Sequence, residues 1–254
     1  MRIMSPSGEA VPEHQLLELL AEEGIAFLSE TDCDEITTAF GGLLDIYRHT
    51  DATSSAWTLI QPYFEGRQGA GLDGFTNAAL GLHTDRSMLD APPSILCYLM
   101  LAEAESGGGD SILFDTEPLL SRYDRNSLLF IENTLWLHSR VQGWRQRVLT
   151  VARDGRVIIR FRDDDVAQPK KSAALPEALL RGIRDPREGM YKIRLHAGEG
   201  YVVHNHRILH GRTSFQGHRK GARFLFYVKD GSSFDYLNRG FVIGRQGNKR
   251  KGGV

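Results

Sequence analysis

The apolar positions fall into two regimes along the chain. Before residue 50 they recur at helical spacing: Leu16, Leu17 and Leu20 share a face away from Glu18 and Glu22, and Gly24 closes the run. The short stretch Ile25-Ala26-Phe27-Leu28 reads as a strand. Asp32 then stands as an N-cap with Glu35 as its capping-box partner, and Ile36, Phe40, Leu43, Leu44 and Tyr47 mark the buried stripe of the helix it opens. From residue 94 the pattern becomes strand-like. Ser94–Leu101, Ser111–Phe114, Arg147–Ala152, Arg156–Phe161, Met190–Leu195, Tyr201–Leu209 and Arg223–Lys229 are short apolar or β-branched runs. Gly107-Gly108-Gly109-Asp110, Asp154-Gly155 and Gly198-Glu199-Gly200 supply turns between them. Two helices are expected within this region, near Thr116–Tyr123 and Leu175–Ile183, the second with Pro176 in its first turn.

Helices followed by many short strands predict an α+β chain, a β-sandwich or jelly roll with helices packed outside. No internal repeat or linker divides it, so residues 1–254 read as a single catalytic domain, with about 1–12 and 245–254 as flexible tails. Residues 50–74 interleave Ser, Thr, Gly and Gln with Trp57, Tyr63 and Phe64, the character of a lid or binding loop.

Composition narrows the function classes. A hydrophobic fraction of 41% and a charged fraction of 25% are ordinary for a globular protein, and a net charge of −1 argues against nucleic acid or an anionic membrane as partner. The one basic run, Arg245–Lys251, reads as a solvated tail. Cys33 and Cys97 form no CxxC pair, which suits a reducing compartment. The N-terminus lacks a signal-peptide core and no run approaches a membrane span, so a cytoplasmic protein acting on a small molecule is expected.

The histidines carry the chemistry. In extended backbone His83 and Asp85 point to the same side and can converge on one ion. His210, at the end of the run Tyr201–Leu209, is the natural third ligand. Two imidazoles and a carboxylate on one octahedral face leave positions open for a co-substrate and O2, as non-haem Fe(II) oxygenases require. Arg223 follows thirteen residues after His210. If the two span a hairpin, its guanidinium can grip the distal carboxylate of a dicarboxylic co-substrate. His204 and His206 share the His210 face by alternation and read as pocket residues behind the ligands.

These motifs resemble the taurine dioxygenase / γ-butyrobetaine hydroxylase-like superfamily of Fe(II)/2-oxoglutarate oxygenases. Gly74-Phe75-Thr76-Asn77 with Leu82-His83-Thr84-Asp85-Arg86-Ser87 resembles its "GFT…HTD" entry to the metal, and Ala104–Phe114 its Gly-Gly turn and strand. Gly198–Phe215 resembles the strand that ends on its distal histidine and the "HGR" arginine, here Arg212. The resemblance spans roughly residues 15 to 235 and implies a double-stranded β-helix core. It implies Fe(II) on His83, Asp85 and His210, with the 2-oxoglutarate 5-carboxylate on Arg223 and Ser111 and O2 as second co-substrate. It further implies hydroxylation of an unactivated C–H in a small polar substrate, an amino acid or carboxylate-bearing metabolite, giving succinate and CO2. Asn77, Arg86, Arg160 and Arg162 lie in motifs near the metal and are candidates for that substrate. Val157–Asp163 resembles the γ-butyrobetaine branch, but Arg162 and Asp163 replace its asparagines, which argues against a trimethylammonium substrate. Asp85 argues against halogenation, since the halogenases lose this carboxylate. Desaturation or cyclisation at the same site stays open. A metal-dependent hydrolase would leave Arg223 and Ser111 without a task, and a non-catalytic metabolite-binding module would not need the intact ligands.

Overall fold

Alternation along one central strand explains the layering. In Ile95–Ala102, Ile95, Cys97 and Leu99 join a cluster under the N-terminal helices, while Leu96, Tyr98 and Met100 enter the interior between two sheets. Successive side chains of a strand point to opposite faces, so a strand buried on both sides reads as an unbroken apolar run. The computed structural model describes residues 1–62, 71–141 and 143–244.

The larger sheet has eight strands. Seven are ordered Ala10–Val11, Arg2–Met4, Ile25–Ser29, Gly200–His204, Ile95–Ala102, Lys220–Val228 and Leu44–Ile46, and Thr58–Ile60 also pairs with Lys220–Val228. The smaller has four, ordered Met190–Ile193, Ser111–Asp115, Ile208–Arg212 and Leu80–His83. Ile25, Leu96, Val203 and Leu225 of the first meet Leu113 and Ile208 of the second in one buried cluster, so the sheets pack face to face as a jelly roll. Helices Leu16–Glu22 and Cys33–Phe40 cover the outer face of the larger sheet. Helices Glu117–Leu120, Arg125–Thr134 and Ala174–Arg184 pack with Phe114 and Leu209 behind the smaller one. Among the described residues no helix is long and apolar enough to cross a membrane.

Several expectations change in the folded chain. The Asp32 carboxylate does cap its helix, accepting from the amides of Asp34 and Glu35 at 2.9 Å each, but the Glu35 carboxylate pairs with the Met1 amino group instead of closing a capping box. That helix ends at Phe40, before Gly41-Gly42, and Leu44 continues into a strand of the large sheet. Residues 1–12, expected as a tail, add two strands to the sheet edge through Arg2–Met4 and Ala10–Val11. Helix Arg125–Thr134 was not anticipated; its Asp124 N-cap accepts from the Ser127 amide. Trp57 packs its ring on Phe224 in the helix-covered cluster, not over a site. Tyr63, Phe64 and the Arg245–Lys251 run lie outside the described residues.

The run Tyr201–Leu209 is two strands, because the chain turns at Asn205–Arg207 and crosses from one sheet to the other. The turn removes His204 and His206 from the face of His210. Both are fully buried, with His204 Nε2 2.9 Å from the Leu237 carbonyl and His206 Nε2 3.1 Å from that of Pro92. Burial lowers His204 to about 4 and His206, with His204 beside it, to about 3. Unfolded imidazoles take up protons near pH 6.5, whereas these refuse them until much lower pH. Stability is therefore fully present above pH 6.5 and falls on acidification towards pH 4. Urea midpoints of the metal-free protein should drop steeply across this window, and His206→Gln should flatten the slope. An unchanged slope in that variant would place the proton uptake elsewhere.

Candidate active site

Strand Ile208–Arg212 turns Ile208 into the sandwich interior and Leu209 outward, and the same alternation carries His210 and Arg212 inward. Antiparallel pairing sets His210 opposite His83, with ring centroids 4.3 Å apart. Gly211 allows that pairing to close, since a Cβ there would come within 2.6 Å of the Leu80 carbonyl. Beyond His83 the chain leaves the sheet and is fixed by a buried amide. The Asp85 N–H donates to Asn205 Oδ1 at 2.9 Å, while Asn205 Nδ2 donates to the Asp85 carbonyl at 3.0 Å and the Pro93 carbonyl at 2.8 Å. The turn between the two sheets thus clamps the backbone that carries the carboxylate.

One ligand atom each from His83, Asp85 and His210 can be chosen so that all lie within 4.8 Å of one another, and all three residues are buried. His83 Nδ1 is 2.9 Å from the Gly81 carbonyl, which places the proton on Nδ1 and leaves the Nε2 lone pair free. His210 Nε2 faces Asp85 Oδ2 at 3.7 Å, and that oxygen is buried without a hydrogen bond. Burial lowers both imidazole pKa values, with Arg162 next for His83, and with His83 next for His210, which falls to about 3. Burial pushes the Asp85 carboxyl up, but the Arg223 guanidinium and then the two imidazoles more than reverse this, holding it well below the ordinary carboxylate range. Two neutral imidazoles and one carboxylate with an orphaned oxygen fit a divalent ion of the Fe(II) type.

A cavity of about 300 Å³ opens beside the triad. Arg86, Arg162, Arg212, Arg219 and Arg223 line it together with Ser111, Tyr98 and His49. Arg223 lies on a strand of the larger sheet, so it faces His210 across the sandwich and is not its hairpin partner. Its Nη1 donates to Asp85 Oδ1 at 3.0 Å. Arg162 is paired with Asp164 at 2.5 Å. Arg212 donates to the Thr76 and Ala78 carbonyls at 2.7 and 2.8 Å, and Arg219 lies over the rings of Tyr98 and Phe215. Both are buried, and among the described residues neither has a carboxylate within 4.0 Å. Burial, followed by the charge of Arg219, lowers Arg212 to about 10. Buried guanidinium groups without counter-ions call for an anionic ligand.

Residues 4–124 match the family model described as taurine catabolism dioxygenase TauD, TfdA family. Over that segment, just under half of the chain, the sequence is similar to the TauD/TfdA family. Its fold recurs in solved structures. PvcB from Pseudomonas aeruginosa aligns at TM-score 0.61 and 17% identity over 89% of this chain and 90% of that one. An asparagine oxygenase solved with Fe(II), 3-hydroxyasparagine and succinate aligns at 0.61 and 14% identity, covering 84% and 78%. AAD-2, solved with Mn(II) and N-oxalylglycine, aligns at 0.64 and 14% identity over 84% and 88%.

The structure brings together His83, Asp85, His210, Ser111, Arg223, Arg86 and Arg162 from the sequence candidates. Asn77 is exposed, donating from Nδ2 to the Gly217 carbonyl at 3.4 Å. Arg160 is buried on Thr150 Oγ1 and the Asp90 carbonyl, away from the cavity. Arg219, Tyr98, Tyr201 and His49 are cavity residues that sequence reasoning missed. For Arg219 a signal existed: the segment between His210 and Arg223 holds two further arginines, Arg212 and Arg219, and no spacing rule chose Arg223 over Arg219.

Proposed function

We propose that this protein is an Fe(II)- and 2-oxoglutarate-dependent dioxygenase that hydroxylates an unactivated C–H bond of a small polar substrate, releasing succinate and CO2. The observation that carries the reading is the buried His83–Asp85–His210 set facing a cavity that holds two buried arginines without acids. Fe(II), 2-oxoglutarate and O2 supply the oxidising chemistry: the co-substrate loses CO2, and one oxygen atom of O2 enters succinate while the other enters the substrate. His83, Asp85 and His210 would hold the metal on one face, leaving the cavity side open. Arg219, with Arg212 and the Ser111 hydroxyl, would receive the far carboxylate of 2-oxoglutarate, since their charge is otherwise uncompensated. Arg223 was expected from sequence to take that carboxylate. Its pairing with Asp85 gives it a second task, fixing the carboxylate ligand and keeping it ionised. The apolar walls, Ile60, Phe75 and Val166 among them, exclude water from the reacting groups. The solved neighbours support this reading: PvcB is described as an Fe, alpha-ketoglutarate dependent oxygenase, and OrfP was solved with Fe and alpha-ketoglutaric acid.

The test is spectroscopic. Metal-free protein titrated without oxygen with Fe(II) and then 2-oxoglutarate should develop the weak visible charge-transfer band of the chelate. Binding of the metal with no band on adding 2-oxoglutarate would sink the assignment and favour a hydrolase that works with zinc and without oxygen.

A further inference from the structure

The charges lining the cavity leave one arginine over. Of its five arginines, Arg162 is balanced by Asp164 and Arg223 by Asp85. On the oxygenase reading, which this inference rests on, Arg212 and Arg219 take the far carboxylate of the co-substrate. Arg86 has no carboxylate within 4.0 Å among the described residues, and its Nε is buried without a partner. Its Nη1 lies 3.2 Å from His49 Nε2, and its guanidinium sits 5.4 Å from the centre of the Tyr47 ring. Asp51 lies on the other nitrogen of His49 at 3.7 Å, with its side chain 44% exposed.

The backbone shows that this placement is built. Arg86 has φ +57°, in the left-handed region that non-glycine residues enter at a cost of about 1–2 kcal/mol. In extended chain residues 85 and 86 would face opposite ways. The left-handed turn instead lets both Asp85 and Arg86 line the same cavity. A strained residue that delivers an unpaired cation next to a metal ligand has a recognition role as its simplest physical account.

We propose that Arg86 is the specificity-determining side chain for substrate, and that the substrate is a small acid whose carboxylate it receives. The size follows from the space: about 300 Å³ must admit both co-substrate and substrate, at the low end of ligand cavities. The guanidinium can meet a carboxylate with two parallel N–H donors, a geometry that neither an amide nor an ester satisfies.

Anaerobic protein loaded with Fe(II) and 2-oxoglutarate is titrated with the proteinogenic L-amino acids, their primary amides, and small aliphatic carboxylates, sulfonates and phosphonates. The readouts are perturbation of the chelate band and, in air, probe-triggered succinate release. Responding probes should be carboxylates, and the amide of each should bind roughly 30-fold more weakly or worse. Arg86→Ala should raise the half-saturating concentration of the same acid by a similar factor while leaving those of Fe(II) and 2-oxoglutarate within about threefold. Arg86→Gly, which relieves the left-handed backbone, should behave alike, and Arg86→Lys should fall between. Amides that respond as well as acids, sulfonates or phosphonates that respond in place of carboxylates, an unchanged Arg86→Ala, or no response from any acid would overturn the proposal. Failure of the parent reading looks different, since wild-type protein would then show no chelate band before any probe is added.

Discussion

His210→Ala is expected to abolish turnover and to weaken Fe(II) binding by more than the roughly 10–100-fold that follows loss of an outer partner of a metal ligand. His210 is one of three donors, and no other imidazole can replace it. His204 and His206 are tied to the carbonyls of Leu237 and Pro92, and His49 faces Arg86. The variant should still fold. The imidazole is buried with its Nδ1 unpartnered, so truncation removes a poorly satisfied polar group along with some packing. Iron content after anaerobic dialysis, read beside the circular dichroism spectrum, checks the prediction. A folded variant that keeps stoichiometric iron would remove His210 from the ligand set. Asp85→Asn should lose the metal as well and also destabilise the fold, because it strands the half-buried Arg223 guanidinium without its counter-charge.

The second large effect is at the co-substrate. Arg219→Ala should raise the 2-oxoglutarate concentration for half-saturation by roughly 100-fold or more, since truncating one partner of a buried charge pair costs on the order of 3 kcal/mol. Iron affinity without 2-oxoglutarate should barely move. Arg223→Ala should show the complementary pattern, with weaker iron binding and a smaller change towards 2-oxoglutarate, because its guanidinium contacts Asp85 directly. The two titrations separate the assignments. If Arg223→Ala raises the 2-oxoglutarate requirement and Arg219→Ala does not, the anchor is Arg223, as its position after His210 first suggested.

Much of the site was legible because its signals are local. The His83–Asp85 spacing needs only extended backbone, and the structure keeps both residues at one cavity. The Asp32 cap, helix Ala174–Arg184 around Pro176, and the strand runs flanking glycine turns are likewise set by neighbours in the chain. The glycine turn before Ser111 illustrates the reason. Gly108 has φ +78° and a Cβ there would come within 2.3 Å of the Ser214 carbonyl, so residue type and conformation imply each other.

Other features depended on partners far along the chain. Nothing in Tyr201–Leu209 says that it turns at Asn205 and changes sheets, since both halves are equally buried. That turn decides that His210 lines the cavity with His83 and Asp85 while His206 does not. The proposed choice of Arg219 over Arg223 rests on the pairing of Arg223 with Asp85 across the sandwich, a contact between residues 138 positions apart. The pattern of residue types along the chain determined the strands, the candidate ligand pair and the search for a third histidine, because those follow from local geometry and donor chemistry. The tertiary structure alone decided which arginines keep uncompensated charge, because a counter-ion is set by packing between sheets and not by sequence spacing.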